Sequence, residues 1–187
     1  MALTVKQRGQ HVATFRFVEV RLMETLAAWI PSTPEMEAKL LFGPHVWDCA
    51  QAADALGKRA HELRLPLHHS LAPVAAYLRV LDALAAAQGA AARIAAFYDV
   101  VLPRLGERYR RYLSSTDALM DAPTVRIVER ILDTQARMLR EATALREQLP
   151  ALRPERTGAL QPLIDADAAV GDLPVDAGAD DAARQAA

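Results

Sequence analysis

One cysteine in 187 residues, Cys49, excludes an internal disulfide and any zinc or iron-sulfur site made of several thiolates from one chain. Aromatic residues make up only 5% of the sequence and β-branched residues are sparse, which argues against sheet. Neither sign of charge dominates. The net charge is -1 with acids and bases interspersed, so no broad basic face is offered to nucleic acid or anionic lipid. Long apolar runs are missing too: Arg79, Asp82 and Arg93 interrupt the most hydrophobic region, and Met1 to Arg8 lacks the apolar core of a signal peptide. A cytoplasmic protein without membrane or nucleic-acid partners is the expectation. No repeat at a solenoid period is visible.

Alanine, leucine and arginine are abundant, and hydrophobic residues reach 52%, a balance that favours helices within a single domain. From about Gln10 to Ile30, Phe15, Glu19, Leu22, Met23, Leu26 and Ile30 share one helical face, and Pro31 is expected to stop the helix. Ser32-Thr33-Pro34-Glu35 reads as a capping box with Ser32 as N-cap, opening a second helix that runs to about Arg64, before Pro66. Ser70 can cap a third stretch carrying Leu78, Leu81 and Leu84. Gly89 weakens it, Ile94, Phe97, Tyr98, Val101, Leu105 and Tyr112 resume the apolar stripe, and Pro103 should kink or restart the helix. Asp121 as N-cap and Pro123 in the first turn open a last long helix, with Val128, Ile131, Leu132 and Leu139 facing inward and Pro150 ending it.

Beyond Ala151 proline, glycine and aspartate break the periodicity. Residues 151–187 are expected to form a mostly disordered acidic tail with a short docked piece near Leu160 to Ile164. Residues 1–150 then make an all-α, up-and-down four-helix bundle.

The chemistry concentrates on the second helix, where His45 and Asp48 stand three residues apart and therefore on one face, among apolar neighbours. A helical bundle would keep a metal or a substrate in such a place. Glu19, on the apolar face of the first helix, needs a buried partner, and His45 or Arg59 would suit. Cys49, inside an apolar stretch, reads as a small core residue rather than a nucleophile. Trp29 and Trp47 read as core fillers, His68-His69 as an exposed turn, and Arg108, Arg110 and Arg111 as a solvated face.

The strings Phe17-Val18-Glu19-Val20-Arg21-Leu22-Met23, Glu37-Ala38-Lys39-Leu40-Leu41-Phe42-Gly43-Pro44-His45-Val46-Trp47-Asp48 and Leu56-Gly57-Lys58-Arg59 with Glu62-Leu63-Arg64 resemble bacterial ferritin-like proteins, as does the link Thr116 to Arg126. The resemblance covers about residues 10 to 149 and consists of scattered positions. It implies a four-helix bundle with a di-metal site, fed by a carboxylate from each of two helices and a Glu-x-x-His pair from each of the other two. Glu19 matches the first carboxylate. The second helix offers Asp48-x-x-Gln51, with His45 one turn earlier. The third offers Asp99 and Glu107, neither well aligned. In the last helix the pair falls at Gln135-x-x-Met138, and no histidine follows His69. The resemblance thus implies an eroded di-metal site, with Glu19, His45, Asp48 and Glu129 as the ligands if iron or manganese binds at all, and no other cofactor.

Three functions remain open. The first is an enzyme, metal-independent or with an atypical metal, acting on a small organic molecule. Glu19 or Asp48 would be its general base, His45 its acid or base, and Tyr98 a hydrogen-bond donor. The second is a non-catalytic bundle that pairs as homodimer or heteromer through helix faces, first of all the small residues Ala85 to Ala92. The third is a di-metal oxidase or oxygenase with atypical ligands.

Overall fold

The computed structural model describes residues 3–153 and 160–174. Seven α-helices, α1 (Val5–Ser32), α2 (Met36–Glu62), α3 (Ala75–Ala85), α4 (Ala90–Ile94), α5 (Leu102–Ser115), α6 (Ala122–Gln148) and α7 (Gln161–Ala168), account for most of them, and no strand occurs among the described residues. The described residues are therefore all-helical in their regular structure. No helix among the described residues is long and apolar enough to cross a membrane.

Helix α1 starts earlier than its apolar stripe predicts because Thr4 and Gln7 form a capping box: the Gln7 N–H donates to the Thr4 hydroxyl, and the Thr4 N–H to the Gln7 side chain. Pro31 does not stop it at Ile30. The proline falls in the last turn, where few backbone bonds remain to be lost, and the helix runs to Ser32. Ser32 consequently does not cap α2. Its hydroxyl bonds back to the Ala28 and Trp29 carbonyls, and Thr33 Oγ1 donates to Trp29 O at 2.8 Å, so both hydroxyls finish α1. Helix α2 follows after a short turn and packs along the length of α1. It ends two residues before Arg64, which adopts a left-handed φ of 68°.

Ser70 is not a cap either; it receives a hydrogen bond from Arg16, and α3 begins only after Pro73. Gly89, at φ +80°, breaks the chain between α3 and α4, a conformation that favours glycine. From Ala90 the chain continues as one rod through a π-helical turn, Ala95–Val101, into α5. There the Leu102 N–H reaches back five residues to Phe97 O. Pro103 has no N–H for the Asp99 carbonyl, so the ladder skips a residue where it would have been interrupted anyway. The widened turn buries Phe97, Tyr98, Val100 and Val101 together. Helix α6 packs against α2 and α5.

Two buried arginines tie these elements. Arg93 donates to Thr33 Oγ1 at 2.7 Å and to Ala87 O at 3.1 Å, joining the α1–α2 turn to the α3–α4 turn. Arg108 is not part of a solvated face. It grips Asp167 of α7 at 3.0 and 3.2 Å, and its guanidinium lies 4.9 Å from the Tyr77 ring centroid. Residues 160–174 thus add a packed layer on α3 beyond the docked piece expected near Leu160 to Ile164, with Asp167 and Leu173 fully buried. The rest of the expected disordered tail, residues 154–159 and 175–187, lies outside the described residues.

Asp121 precedes α6 as expected, yet its carboxylate caps no backbone. Buried completely, it accepts from Arg59 Nη2 (3.0 Å), Thr124 Oγ1 (2.6 Å), Tyr112 OH (2.6 Å) and Thr116 Oγ1 (2.9 Å). Burial pushes the carboxyl upward, but these four bonds outweigh it and hold the pKa below the usual range. Its stabilising contribution is present above the ordinary carboxylate range and is lost as pH falls through the depressed value. Asp121→Ala leaves the buried Arg59 with only the exposed Glu62 carboxylate, 2.8 Å away, and removes the shared acceptor of Tyr112, Thr116 and Thr124, so it should lower stability by about 3 kcal/mol in urea unfolding at pH 7.

Candidate functional site

Glu19 sits at mid-height of α1 and is 3% exposed. Neither His45 nor Arg59 is its partner. The Tyr109 hydroxyl of α5 donates to Glu19 Oε1 at 2.5 Å, and the Cys49 thiol of α2 donates to the same carboxyl. Burial raises the Glu19 pKa more than the two hydrogen bonds lower it, leaving it at about 7. The Cys49 pKa lies well above its ordinary value, first through burial and then through the negative charges of Glu19 and Asp48. Cys49 is therefore a thiol that donates, as a core residue would, and not a nucleophilic thiolate.

Beside Glu19 lies a cavity of about 60 Å³. Its α2 wall consists of Asp48, Cys49, Gln51 and Ala52, and its α6 wall of Arg130, Ile131, Thr134, Gln135 and Met138, with Leu102 contributed by α5. Gln51 and Arg130 are exposed and mark the mouth, while Glu19, Cys49 and Gln135 are buried at the floor. Gln135 is 5% exposed, and its Nε2 has no hydrogen-bond partner. Such a donor is costly to leave unmade, by roughly 1–3 kcal/mol, so it marks a wall that a polar guest would complete.

A second polar chain runs behind the cavity. His45 is fully buried, with Nε2 2.7 Å from Glu141 Oε2 and Nδ1 2.6 Å from the Tyr98 hydroxyl. A carboxylate can only accept, so Nε2 carries the proton and Nδ1 accepts from Tyr98. Burial lowers the His45 pKa despite the neighbouring Glu141, which keeps the ring neutral at pH 7. Arg137 closes the chain, donating to Glu141 Oε1 at 3.0 Å and to Asp48 Oδ2 at 2.7 Å. The path Tyr98–His45–Glu141–Arg137–Asp48 ends on the cavity wall, because Asp48 belongs to both.

The expected residues therefore separate. Glu19 and Asp48 line the cavity. His45 and Tyr98 contact one another and reach it only through Glu141, Arg137 and Asp48. Glu129 is exposed, one position past the buried Val128, and faces away. Asp99 and Glu107 are exposed as well, Asp99 pairing with Arg146. Trp29 fills the core as expected, but Trp47 is 65% exposed and fills nothing. Tyr109, Glu141 and Arg137 are the residues that sequence reasoning passed over. Tyr109 sits on the Leu105 and Tyr112 face, which could have flagged it. Arg137 and Glu141 are an i, i+4 pair, a spacing that normally signals only a solvated helix face.

A di-metal centre needs bridging carboxylates and imidazoles, and the cavity has neither set. Asp48 is paired with Arg137, Glu19 is bonded by Tyr109 and Cys49, and the other polar positions are amides, a hydroxyl and an arginine. His45 has both ring nitrogens engaged elsewhere. Among the described residues no three His, Cys, Asp or Glu side chains are grouped so as to hold a metal ion. The donors present do not fit the metal pair that the resemblance implies. No family model, curated protein or solved structure matches the chain.

Glu19 makes stability depend on pH with a definite sign. Its folded pKa, about 7, exceeds the ordinary 4.5, so between those values the folded chain holds a proton that the unfolded chain has released. Stability should fall as pH rises from about 5 to 7.5, by about 3 kcal/mol in all. His45 contributes the opposite trend below its ordinary value, and the Glu19→Gln substitution does not touch it. The difference between wild type and Glu19→Gln in urea unfolding should therefore show the Glu19 slope alone.

Proposed function

We propose that the chain is a ferritin-like four-helix bundle whose metal site has eroded into an acid/base site, and that it catalyses proton transfer on a small organic molecule. One observation carries the reading. The positions that the resemblance assigns to metal ligands, Glu19, Asp48, Gln51, Gln135 and Met138, come from three separate helices, and all five line the same cavity. Scattered residues on unrelated registers would not meet in this way. The convergence supports the ferritin-like alignment, and the residue types found there support the loss of metal.

Glu19 is the acid/base. A carboxyl with a pKa near 7 is present in both protonation states at neutral pH and exchanges protons with little driving force lost. Tyr109 and Cys49 hold its orientation. Asp48, which accepts from Arg137 at 2.7 Å, stands on the wall as a further hydrogen-bond acceptor for the substrate. His45 and Tyr98 are positioning residues, acting on Asp48 through Glu141 and Arg137. The cavity admits a group of on the order of four non-hydrogen atoms, so only the reacting end of a larger substrate enters it.

The test is hydrogen–deuterium exchange of carbon-bound protons, followed by proton NMR in deuterated buffer over a panel of small carbonyl and hydroxy compounds. Exchange catalysed by the wild type should rise through a midpoint near pH 7 and fall at least 100-fold in Glu19→Gln, about what removing a positioned general base entails. Unchanged exchange in the variant would end this reading.

A second reading, a bundle that works as an assembly partner, is favoured by Met36, Leu40 and Trp47, which form an exposed stripe on α2 at 60%, 68% and 65% exposure. The Ala85 to Ala92 run offers less: Ala90 is buried and Ala91 and Ala92 are half-buried. Sedimentation of the isolated chain at micromolar concentration separates the two readings. A species that buries the stripe supports assembly, and a monomer supports the enzyme.

A further inference from the structure

The cavity beside Glu19 is one of two adjoining spaces. Next to it, α2 and α6 frame an open groove of about 630 Å³, lined by Trp47, Ala50, Asp54, Ala55 and Lys58 together with Gln51 and Arg130, which also line the cavity. The groove lies within the size range of organic ligand sites, whereas the cavity alone is too small for one. Its charges are not equivalent. Lys58 is paired with Asp54 at 2.6 Å, but Arg130, at the junction, has no ion pair or hydrogen bond among the described residues. An exposed indole, two alanines and one free guanidinium at the mouth of a cavity with an unpaired amide donor make an asymmetric receptor.

We infer that the ligand of this site is an organic acid with a planar apolar group. Its carboxylate rests on Arg130 at the junction, its apolar body lies in the groove against Trp47, and a short polar branch enters the cavity toward Gln135 and Glu19. The inference rests on the acid/base reading for the direction of the reacting end, and on its own geometry for the rest. Arg130 suits a carboxylate because its planar fork can donate two parallel bonds. A dianionic phosphate suits the junction less, since Asp48 and the Glu19 carboxyl stand close to any anion held there. A flat group is favoured over a bulky one because an exposed indole offers a face for offset stacking. Both anchors are on the surface, so changing them leaves the packed core untouched.

The probe is 3-phenylpropionate, compared with the uncharged 3-phenylpropan-1-ol, with binding followed by tryptophan emission and by calorimetry. Trp29 is buried, so a response on binding reports Trp47, and Trp47→Phe should remove the emission change while calorimetry still detects the probe. The acid should bind at least tenfold more tightly than the alcohol. Arg130→Gln should erase that difference, about the tenfold worth of one charge-assisted contact, and Trp47→Ala should weaken both compounds. Equal binding of acid and alcohol, or binding indifferent to Arg130 and Trp47, overturns the inference. So does a Trp47 already shielded from quencher in the ligand-free protein and uncovered on dilution, because a second copy would then occupy the groove. Exchange activity that survives Glu19→Gln, with probe binding still dependent on Arg130 and Trp47, would instead remove the proton-transfer reading and leave this one standing.

Discussion

A carboxyl group buried without a cation is the constraint around which this core is arranged. Glu19 has two neutral donors, Tyr109 and Cys49, in place of a lysine or arginine, and its proton is correspondingly hard to lose. A full negative charge there would be poorly solvated, since two hydrogen bonds recover only part of the hydration it gave up. Both donors are held in the same way, by positions on helices that pack directly on α1 or across from it. Tyr109 is fully buried among Phe15 and Tyr112, its ring 4.7 Å from Phe15 centroid to centroid. Helices α1, α2 and α5 must therefore keep their registers for Glu19 to stay satisfied, which links the geometry of the site to the packing of the whole chain.

The buried carboxylates Asp121 and Asp167 are treated differently, and the contrast is informative. Asp121 meets Arg59 and also accepts from three hydroxyls, and Asp167 meets Arg108 with Arg104 3.5 Å from its carboxylate. These pairs lie away from the cavity, where they join helices and a loop. Asp48 is likewise neutralised, by Arg137, although it faces the cavity. Glu19, which meets no cation among the described residues, is left poised between its two states near pH 7. A structure built only to be stable would have paired it or replaced it with an apolar residue.

How much of this was legible in the sequence depends on the kind of signal. The long helices followed from apolar periodicity, and the α6 start from Asp121 and Pro123. Ends decided by one hydroxyl were not legible, because Ser32 reads equally well as the last residue of α1 or the cap of α2, and only the backbone conformation distinguishes them. Arg108 was misread for a different reason. Its spacing of three from Leu105 and four from Tyr112 places it on the buried face, but a charged residue type outweighed its position, and the buried partner, Asp167, lies 59 residues further on. Trp47 shows the converse, a large apolar residue on the exposed face of α2. In the site, single positions such as Glu19 and Asp48 were found because each carries a carboxyl on an apolar face. The donors that set their protonation come from helices distant in sequence, and no spacing within one helix announces them.

The site turns on the protonation of one group. Selective carbon-13 labelling of glutamate side chains, with the Glu19 carboxyl assigned through the Glu19→Gln variant, follows that group directly in an NMR titration of the intact protein. A carboxyl resonance that titrates with a midpoint near pH 7 is the predicted result. A Glu19 midpoint near the ordinary 4.5 would mean that its burial does not hold the proton, and would contradict the proposed role of Glu19.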